Sequence, residues 1–454
     1  MNPADAGAAD TIAAVATPPG RGGVGIVRVS GPMAPAIAEA LLGRRPVPRY
    51  ALFARFRDAA GGILDRGLAL YFPEPASFTG EHVLELHGHG GPVVMDLLLG
   101  RVCALGARPA APGEFSQRAF LNGKLDLAQA EAVADLIAAG TAEAARAAAR
   151  SLEGALSSRV ADLTERLVVL RTHVEGAIDF AEEDIEFLTE SAVDRRLEDL
   201  LRTITGLEEQ AHRGRLLQEG IQAAIVGRPN VGKSSLLNRL VGRETAIVSE
   251  FPGTTRDLLR ESLDLAGVPL RLVDTAGLRD STDPVEREGV RRAWDALARA
   301  DHVLLVVDDR DGLAAEGRAL LDRVPAGPEV TVVRNKIDLT GGVPGRVAAT
   351  GAPVELRVSA RTGAGIDVLR THLRGGAGPV DGAGVFAARR RHLDALRRTR
   401  ERLIEGRRQW CAHHAPELLA EDLRAAHRAL GEITGAFTSD ELLGRIFSTF
   451  CIGK

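Results

Sequence analysis

Gly227-Arg228-Pro229-Asn230-Val231-Gly232-Lys233-Ser234 is the stretch on which the fold turns. A strand-like apolar run, Ile221–Val226, leads into it and a helical pattern, Ser234–Leu240, leads out. Strand, glycine-rich loop and helix in that order make a P-loop. Glycines let backbone N–H groups approach phosphate oxygens, and the helix start adds the positive end of its dipole. Lys233 is placed to neutralise outer phosphates and Ser234 to ligate Mg²⁺; Asn230, Val231, Gly232 and Ser235 complete the loop. An α/β nucleotide-binding unit is expected around it.

Three further motifs follow in order. Asp274-Thr275-Ala276-Gly277 follows the strand-like Leu270–Val273, bringing a carboxylate towards Mg²⁺ and a glycine N–H towards the terminal phosphate. Asn335-Lys336-Ile337-Asp338 ends the run Val330–Val333. A carboxylate at Asp338 accepts from both N1–H and the 2-amino group of guanine, where adenine offers neither donor. Ser359-Ala360 supplies a backbone contact to the base. Within Gly253-Thr254-Thr255-Arg256-Asp257, Thr255 could reach Mg²⁺ and sense the γ-phosphate. The ligand specified is GTP.

The residue after Gly277 is Leu278, where Ras-type switches carry a water-orienting glutamine. Glu286 is the nearest sensible carboxylate. Asp283-Pro284-Val285-Glu286 also reads as a helix-start capping box. The residues alone leave both readings open.

Working outward, 454 residues suggest two to four domains. With 45% hydrophobic and 26% charged residues, wholesale disorder is excluded. No apolar run is long enough to span a bilayer, and the acidic start MNPADAGAAD lacks signal-peptide features, so a soluble cytoplasmic protein is expected. Cys103, Cys411 and Cys451 form neither a disulfide framework nor a zinc spacing. A net charge of −4 gives no global pull on nucleic acid. Of 57 basic residues only four are lysines: Lys124, Lys233, Lys336 and Lys454. In a chain with such arginine bias, the four mark candidate sites needing a compact ammonium.

Short β-like runs such as Ile26–Val29 and Val83–Leu86 occupy the first part of the chain. From Leu125 the pattern turns helical, with Leu197, Leu200, Leu201, Ile204 and Leu207 as one stripe. Strands and helices alternate through 220–375, and helices return after Gly375-Gly376-Ala377-Gly378-Pro379. The expected organisation is multidomain: 1–120 α+β, 121–218 and 377–454 two parts of a discontinuous helical domain, and 219–376 an inserted Ras-like α/β G domain.

Phe78-Thr79-Gly80-Glu81-His82-Val83-Leu84-Glu85-Leu86, Gly113-Glu114-Phe115-Ser116, Ala119-Phe120-Leu121-Asn122-Gly123-Lys124-Leu125-Asp126-Leu127, the P-loop, Gly253–Asp257 and Phe450-Cys451-Ile452-Gly453-Lys454 occur in one order. This order resembles the MnmE (TrmE) family of bacterial tRNA-modification GTPases along essentially the whole chain. The resemblance implies an N-terminal tetrahydrofolate-binding and dimerising domain, a helical domain and an inserted G domain. It implies a homodimer working with the flavoprotein MnmG on tRNA. Together the two would install an aminomethyl or carboxymethylaminomethyl group at C5 of the wobble uridine, with a folate one-carbon unit supplying the carbon next to the ring. Family folate contacts fall on Arg28, Glu85, Lys124 and Lys454. Family K⁺ positions fall on Asn230, Ser249, Phe251 and Thr254, and the water-orienting glutamate on Glu286. Cys451 becomes a candidate for covalent or acid–base work beside the folate.

His87-Gly88-His89 lacks a third ligand, and no metal is expected there. The arginine-rich helix 389–408 could touch tRNA phosphates, but a solvated arginine face is preferred. The competing function is a GTPase of ribosome assembly. A third reading, a folate-dependent aminomethyltransferase with a regulatory G domain, differs mainly in substrate.

Overall fold

Val27 and Val29 are fully buried while Arg28 between them is not, the period-two signature of a strand with one face on a core. In the computed structural model, residues 10–179, 190–241, 260–265, 268–274, 297–298, 300–325, 327–347, 353–375 and 384–453 are described. The chain forms two compact units: Met1–Ala134 with Ser151–Thr203 and Ala395–Lys454, and Asp135–Arg150 with Ile204–Asp394.

The first unit holds a six-stranded sheet of β1 (Ile12–Val15), β2 (Gly22–Ser30), β3 (Leu52–Arg57), β4 (Ile63–Phe72), β5 (Val83–Gly90) and β6 (Arg108–Pro109). Its order is β3-β4-β5-β2-β1-β6, antiparallel except for the β1–β6 pair. Helices α1 (Ala34–Leu42) and α2 (Pro92–Ala104) cover one face, over a core that includes Val27, Val29, Leu84, Leu86, Ile37 and Leu98. On the other face, Phe115 of α3 (Glu114–Leu121) packs with Ile12, Ala14 and Ala110.

Helices α4 (Leu127–Ala138), α5 (Ala142–Leu152), α6 (Ala155–Asp179) and α7 (Glu190–Glu219) follow. Leu156, Val160, Leu163, Leu167, Leu170 and Val174 of α6 are all buried, alternating four- and three-residue steps. That spacing is one helical stripe. Of the α7 stripe, Leu197, Leu200, Ile204 and Leu207 are buried and Leu201 is half-buried.

The second unit is built on β7 (Ile221–Val226), α8 (Lys233–Val241), β8 (Arg260–Leu265), β9 (Val268–Asp274), β10 (His302–Asp308), α9 (Ala315–Asp322), β11 (Glu329–Asn335), β12 (Gly345–Arg346), β13 (Val354–Arg357) and α10 (Ile366–Gly375). The sheet order is β12-β13-β11-β10-β7-β9-β8, parallel from β13 to β9 with antiparallel edges. All seven residues of β10 are buried, as expected for a central parallel strand covered on both faces. This is the inserted Ras-like α/β domain.

The chain ends in α11 (Arg390–His413), α12 (Pro416–Thr434) and α13 (Asp440–Phe447). Helix α12 packs along α6, and α13 packs against α3. The arginine face of α11 is solvated as expected, with Arg397, Arg402 and Arg408 exposed, and several of its arginines also meet acids. Arg398 makes a bidentate pair with Glu432, Arg407 pairs with Asp194, and Arg402 with Asp422. Sequence spacing shows arginines on a helix face but not the acids that neighbouring helices turn towards them. No helix among the described residues is long and apolar enough to cross a membrane.

Candidate functional site: a nucleotide cradle and a folded-back C-terminus

The P-loop connects β7 to α8. Gly232 has φ +95°, and a Cβ there would stand 2.4 Å from the Asn335 amide nitrogen. Any other residue would push the loop away from the strand that recognises the base. Asn230 is also left-handed, at φ +62°. Lys233 donates from Nζ to the carbonyls of Gly227 and Arg228, both at 2.8 Å, which draws its ammonium over the loop. Ser234 and Ser235 lie in the first turn of α8, where N–H groups point towards the loop.

The base-recognition motif at the end of β11 grips the P-loop directly. Asn335 donates from Nδ2 to the Val231 carbonyl at 2.9 Å, and its Oδ1 accepts from the Ala360 N–H at 2.9 Å. Lys336, left-handed at φ +68°, donates from Nζ to the Asn230 carbonyl at 2.6 Å. Asp338 accepts from Ser359 Oγ at 2.5 Å and pairs with Arg361 at 2.6 Å. The Ser359 hydroxyl and the Arg361 charge hold its carboxyl below the usual range, so it is an ionised acceptor. Asn230, Val231, Asn335, Lys336, Asp338, Ser359 and Ala360 thus come together, and an ionised acceptor at Asp338 suits the N1–H and 2-amino donors of guanine.

Asp274 ends β9 beside the P-loop strand, in register with Ile225. Ser249, Phe251, Thr254, Thr255, Thr275, Ala276, Gly277, Glu286 and Lys454 lie outside the described residues.

A second constellation lies in the first unit. The β2–β5 register sets Arg28 directly opposite Glu85. Arg28 Nε donates to Glu85 Oε1 at 2.9 Å, while Oε2 faces His87 Nε2 at 3.2 Å. The guanidinium lies over two rings, 5.7 Å from the centroid of Phe78 and 5.8 Å from that of Phe115. Lys124 donates to the Pro75 carbonyl at 3.1 Å and packs its stem beside Gly80, on the loop that also carries Phe78. Arg28 and Glu85 thus form a paired cation and anion beside two aromatic rings, with the Lys124 ammonium on the adjoining loop.

The C-terminus reaches this place. Leu443, Ile446, Phe447 and Phe450 share a core with Leu127 and Ala130, which turns the last helix back onto the N-terminal domain. The Gly113 N–H donates to the Cys451 carbonyl at 3.3 Å, and Arg28 reaches the Gly453 carbonyl at 3.5 Å. Gly453 has φ +95°, and a Cβ there would meet the Val15 carbonyl oxygen at 2.5 Å, so the tail lies against β1 only as glycine. Cys451 is half-exposed.

The sequence reading missed the groups that hold these parts. Arg118, with a side chain 5% exposed, donates to Glu81, Glu114 and Asp10. Glu81 also accepts from Ser30 Oγ at 2.7 Å. Burial pushes the Glu114 carboxyl up, but bonds from Arg108, the Ala111 N–H and Arg118 outweigh it and hold it below the usual range. The signal was available. Glu81 and Glu114 are the acids inside Phe78-Thr79-Gly80-Glu81 and Gly113-Glu114-Phe115-Ser116, both quoted for resemblance and assigned no role. His87 pairs with Glu85, and His89 with Asp65 at 2.8 Å.

A family model described as the MnmE helical domain matches residues 127–451, and one described as the GTP-binding protein TrmE N-terminus matches 11–124. The chain is 58% identical over 446 residues to the tRNA modification GTPase MnmE of Methylococcus capsulatus, spanning 98% of this chain and 99% of that one. The chain belongs to the MnmE family. The MnmE of Yersinia pseudotuberculosis is 54% identical over 451 residues, spanning 98% of this chain and 99% of that one. Among solved structures, the Era protein of Aquifex aeolicus bound to GDP and aluminium fluoride is similar to 40% of this chain and 66% of its own, at 25% identity and a TM-score of 0.29. The helical-domain match runs straight across the inserted sheet, in keeping with an MnmE helical domain split in sequence.

Proposed function

We propose that this chain is a GTP-hydrolysing tRNA-modification enzyme. With the flavoprotein MnmG it adds a (carboxymethyl)aminomethyl group at C5 of the wobble uridine of certain tRNAs, drawing on a folate one-carbon unit. The observation that carries this is the return of Cys451–Gly453 to the Arg28–Glu85 pair in a chain whose base-recognition motif also grips its P-loop.

In this reading Lys233 and the α8 start bind phosphates, and Asp338 with Ala360 selects guanine. Ser234 and Thr255 hold Mg²⁺, with Asp274 beside them. Asn230, Ser249, Phe251 and Thr254 would hold K⁺, which would supply positive charge beside the phosphates. Glu286 orients the attacking water. Arg28, Glu85, Lys124 and Lys454 would hold the folate, which would supply the one-carbon unit, with Cys451 as the candidate for covalent or acid–base work beside it. The 1–120 domain dimerises, 121–218 and 377–454 form the helical domain, 219–376 is the G domain, and the homodimer works in the cytoplasm.

Nucleoside analysis of tRNA from a strain lacking this gene tests the reading. Loss of the C5 wobble modification, restored by the wild-type gene, is expected. Normal tRNA with defective ribosomal subunits would favour a ribosome-assembly GTPase instead.

A further inference from the structure

Asp308 closes β10 with its side chain 6% exposed, and nothing in the sequence reading assigns it a role. Its Oδ2 lies 3.0 Å from Lys336 Nζ, the ammonium that donates to the Asn230 carbonyl. Arg310 braces the same carboxylate, with Nε to Oδ1 at 3.0 Å and Nη2 to Oδ2 at 2.7 Å. Asn230 and Lys336 both sit in left-handed backbone, a conformation that surrounding contacts must hold. A lysine stem is long and flexible, and one carbonyl oxygen fixes it poorly. A buried carboxylate as second partner fixes where the ammonium rests. Three chain segments then meet at one nitrogen: the end of β10, the base-recognition motif and the P-loop.

We propose that Asp308 is a positioning residue for guanine nucleotide, acting through Lys336 to lock the base-recognition motif onto the P-loop. The proposal rests on the GTP-binding reading above. The competing account is that Asp308 only shapes its own turn, since it accepts from the Arg310 N–H at 3.1 Å and its carbonyl accepts from Asp311 and Gly312. The two accounts differ in whether Lys336 must be present for Asp308 to matter.

The test is a double-mutant cycle on the full-length protein, read as the dissociation constant and dissociation rate of fluorescently labelled GDP. Asp308→Ala is expected to weaken GDP about tenfold, mostly through faster release, the scale of one charge-assisted contact. In a Lys336→Ala background the same change should cost less than about twofold, because the partner is gone. Arg310→Ala should stay within about twofold of wild type, since the exposed Arg310 side chain bonds Asp308 but is not what holds Lys336. Wild-type affinity in Asp308→Ala, an equal cost in both backgrounds, or an Arg310→Ala loss matching Asp308→Ala would each overturn the proposal. Should Asp308→Ala melt early, Asp308→Asn, which keeps an acceptor and removes the charge, carries the same cycle. A wild-type protein that does not bind GDP would refute the underlying GTP reading instead.

Discussion

Asn230 joins one observed contact to one proposed role. Its carbonyl is tied to Lys336, while its side chain is the P-loop position assigned to K⁺. Asparagine tolerates the left-handed conformation that the turn requires, whereas alanine there costs about 1–2 kcal/mol. That cost is the same in any salt, so the informative quantity is a ratio. GTP hydrolysis is expected to run much faster in K⁺ than in Na⁺ at equal ionic strength, and Asn230→Ala to bring the two rates together. Equal wild-type rates in the two salts would remove the cation assignment. At this scale the sequence was most legible where spacing alone forces an encounter, as in the P-loop and Asn335–Asp338. It was blind to Asp308 and Arg118, because a single acid or arginine announces no partner until the chain is folded.

At the scale of elements, the first unit depends on register. A one-residue slip of β2 against β5 would turn Arg28 into the core, away from Glu85, and expose Val27 and Val29. The loop from Pro73 to His82 is held in turn by the Asp10, Glu81, Glu114 and Arg118 network. Glu114 is held below its ordinary pKa, so its contribution is fully present above the unfolded value and disappears as pH falls through the folded one. Glu114→Gln is expected to destabilise the protein by about 2 kcal/mol at neutral pH. It should also flatten the loss of stability below about pH 4. Thermal melts across that range would check it, and an unchanged acid limb would mean that the network adds little. The strands themselves were readable, since Ile26–Val29 and Val83–Leu86 alternate as half-buried strands must. Their pairing was not, because periodicity gives a strand's faces but not its neighbour.

At the scale of the chain, residue 453 lies beside residues 15 and 28. Removing the last four residues is expected to weaken tetrahydrofolate binding while leaving GTP hydrolysis intact. Calorimetry with a reduced folate, run beside a GTPase assay, would decide. Undiminished folate affinity in the truncated protein would make the tail merely structural. The sequence by itself determined the inserted α/β unit, the guanine-nucleotide motifs and membership of the MnmE family, since each depends on residues close together or in fixed order. Only the tertiary structure decided that the tail docks on β1 of its own chain, that Arg398, Arg402 and Arg407 of α11 meet acids on neighbouring helices, and that Asp308 pairs with Lys336. Those facts depend on which buried surfaces meet. Apolar side chains such as Phe447 and Phe450 drive that choice by leaving water, a force without direction that no local pattern encodes.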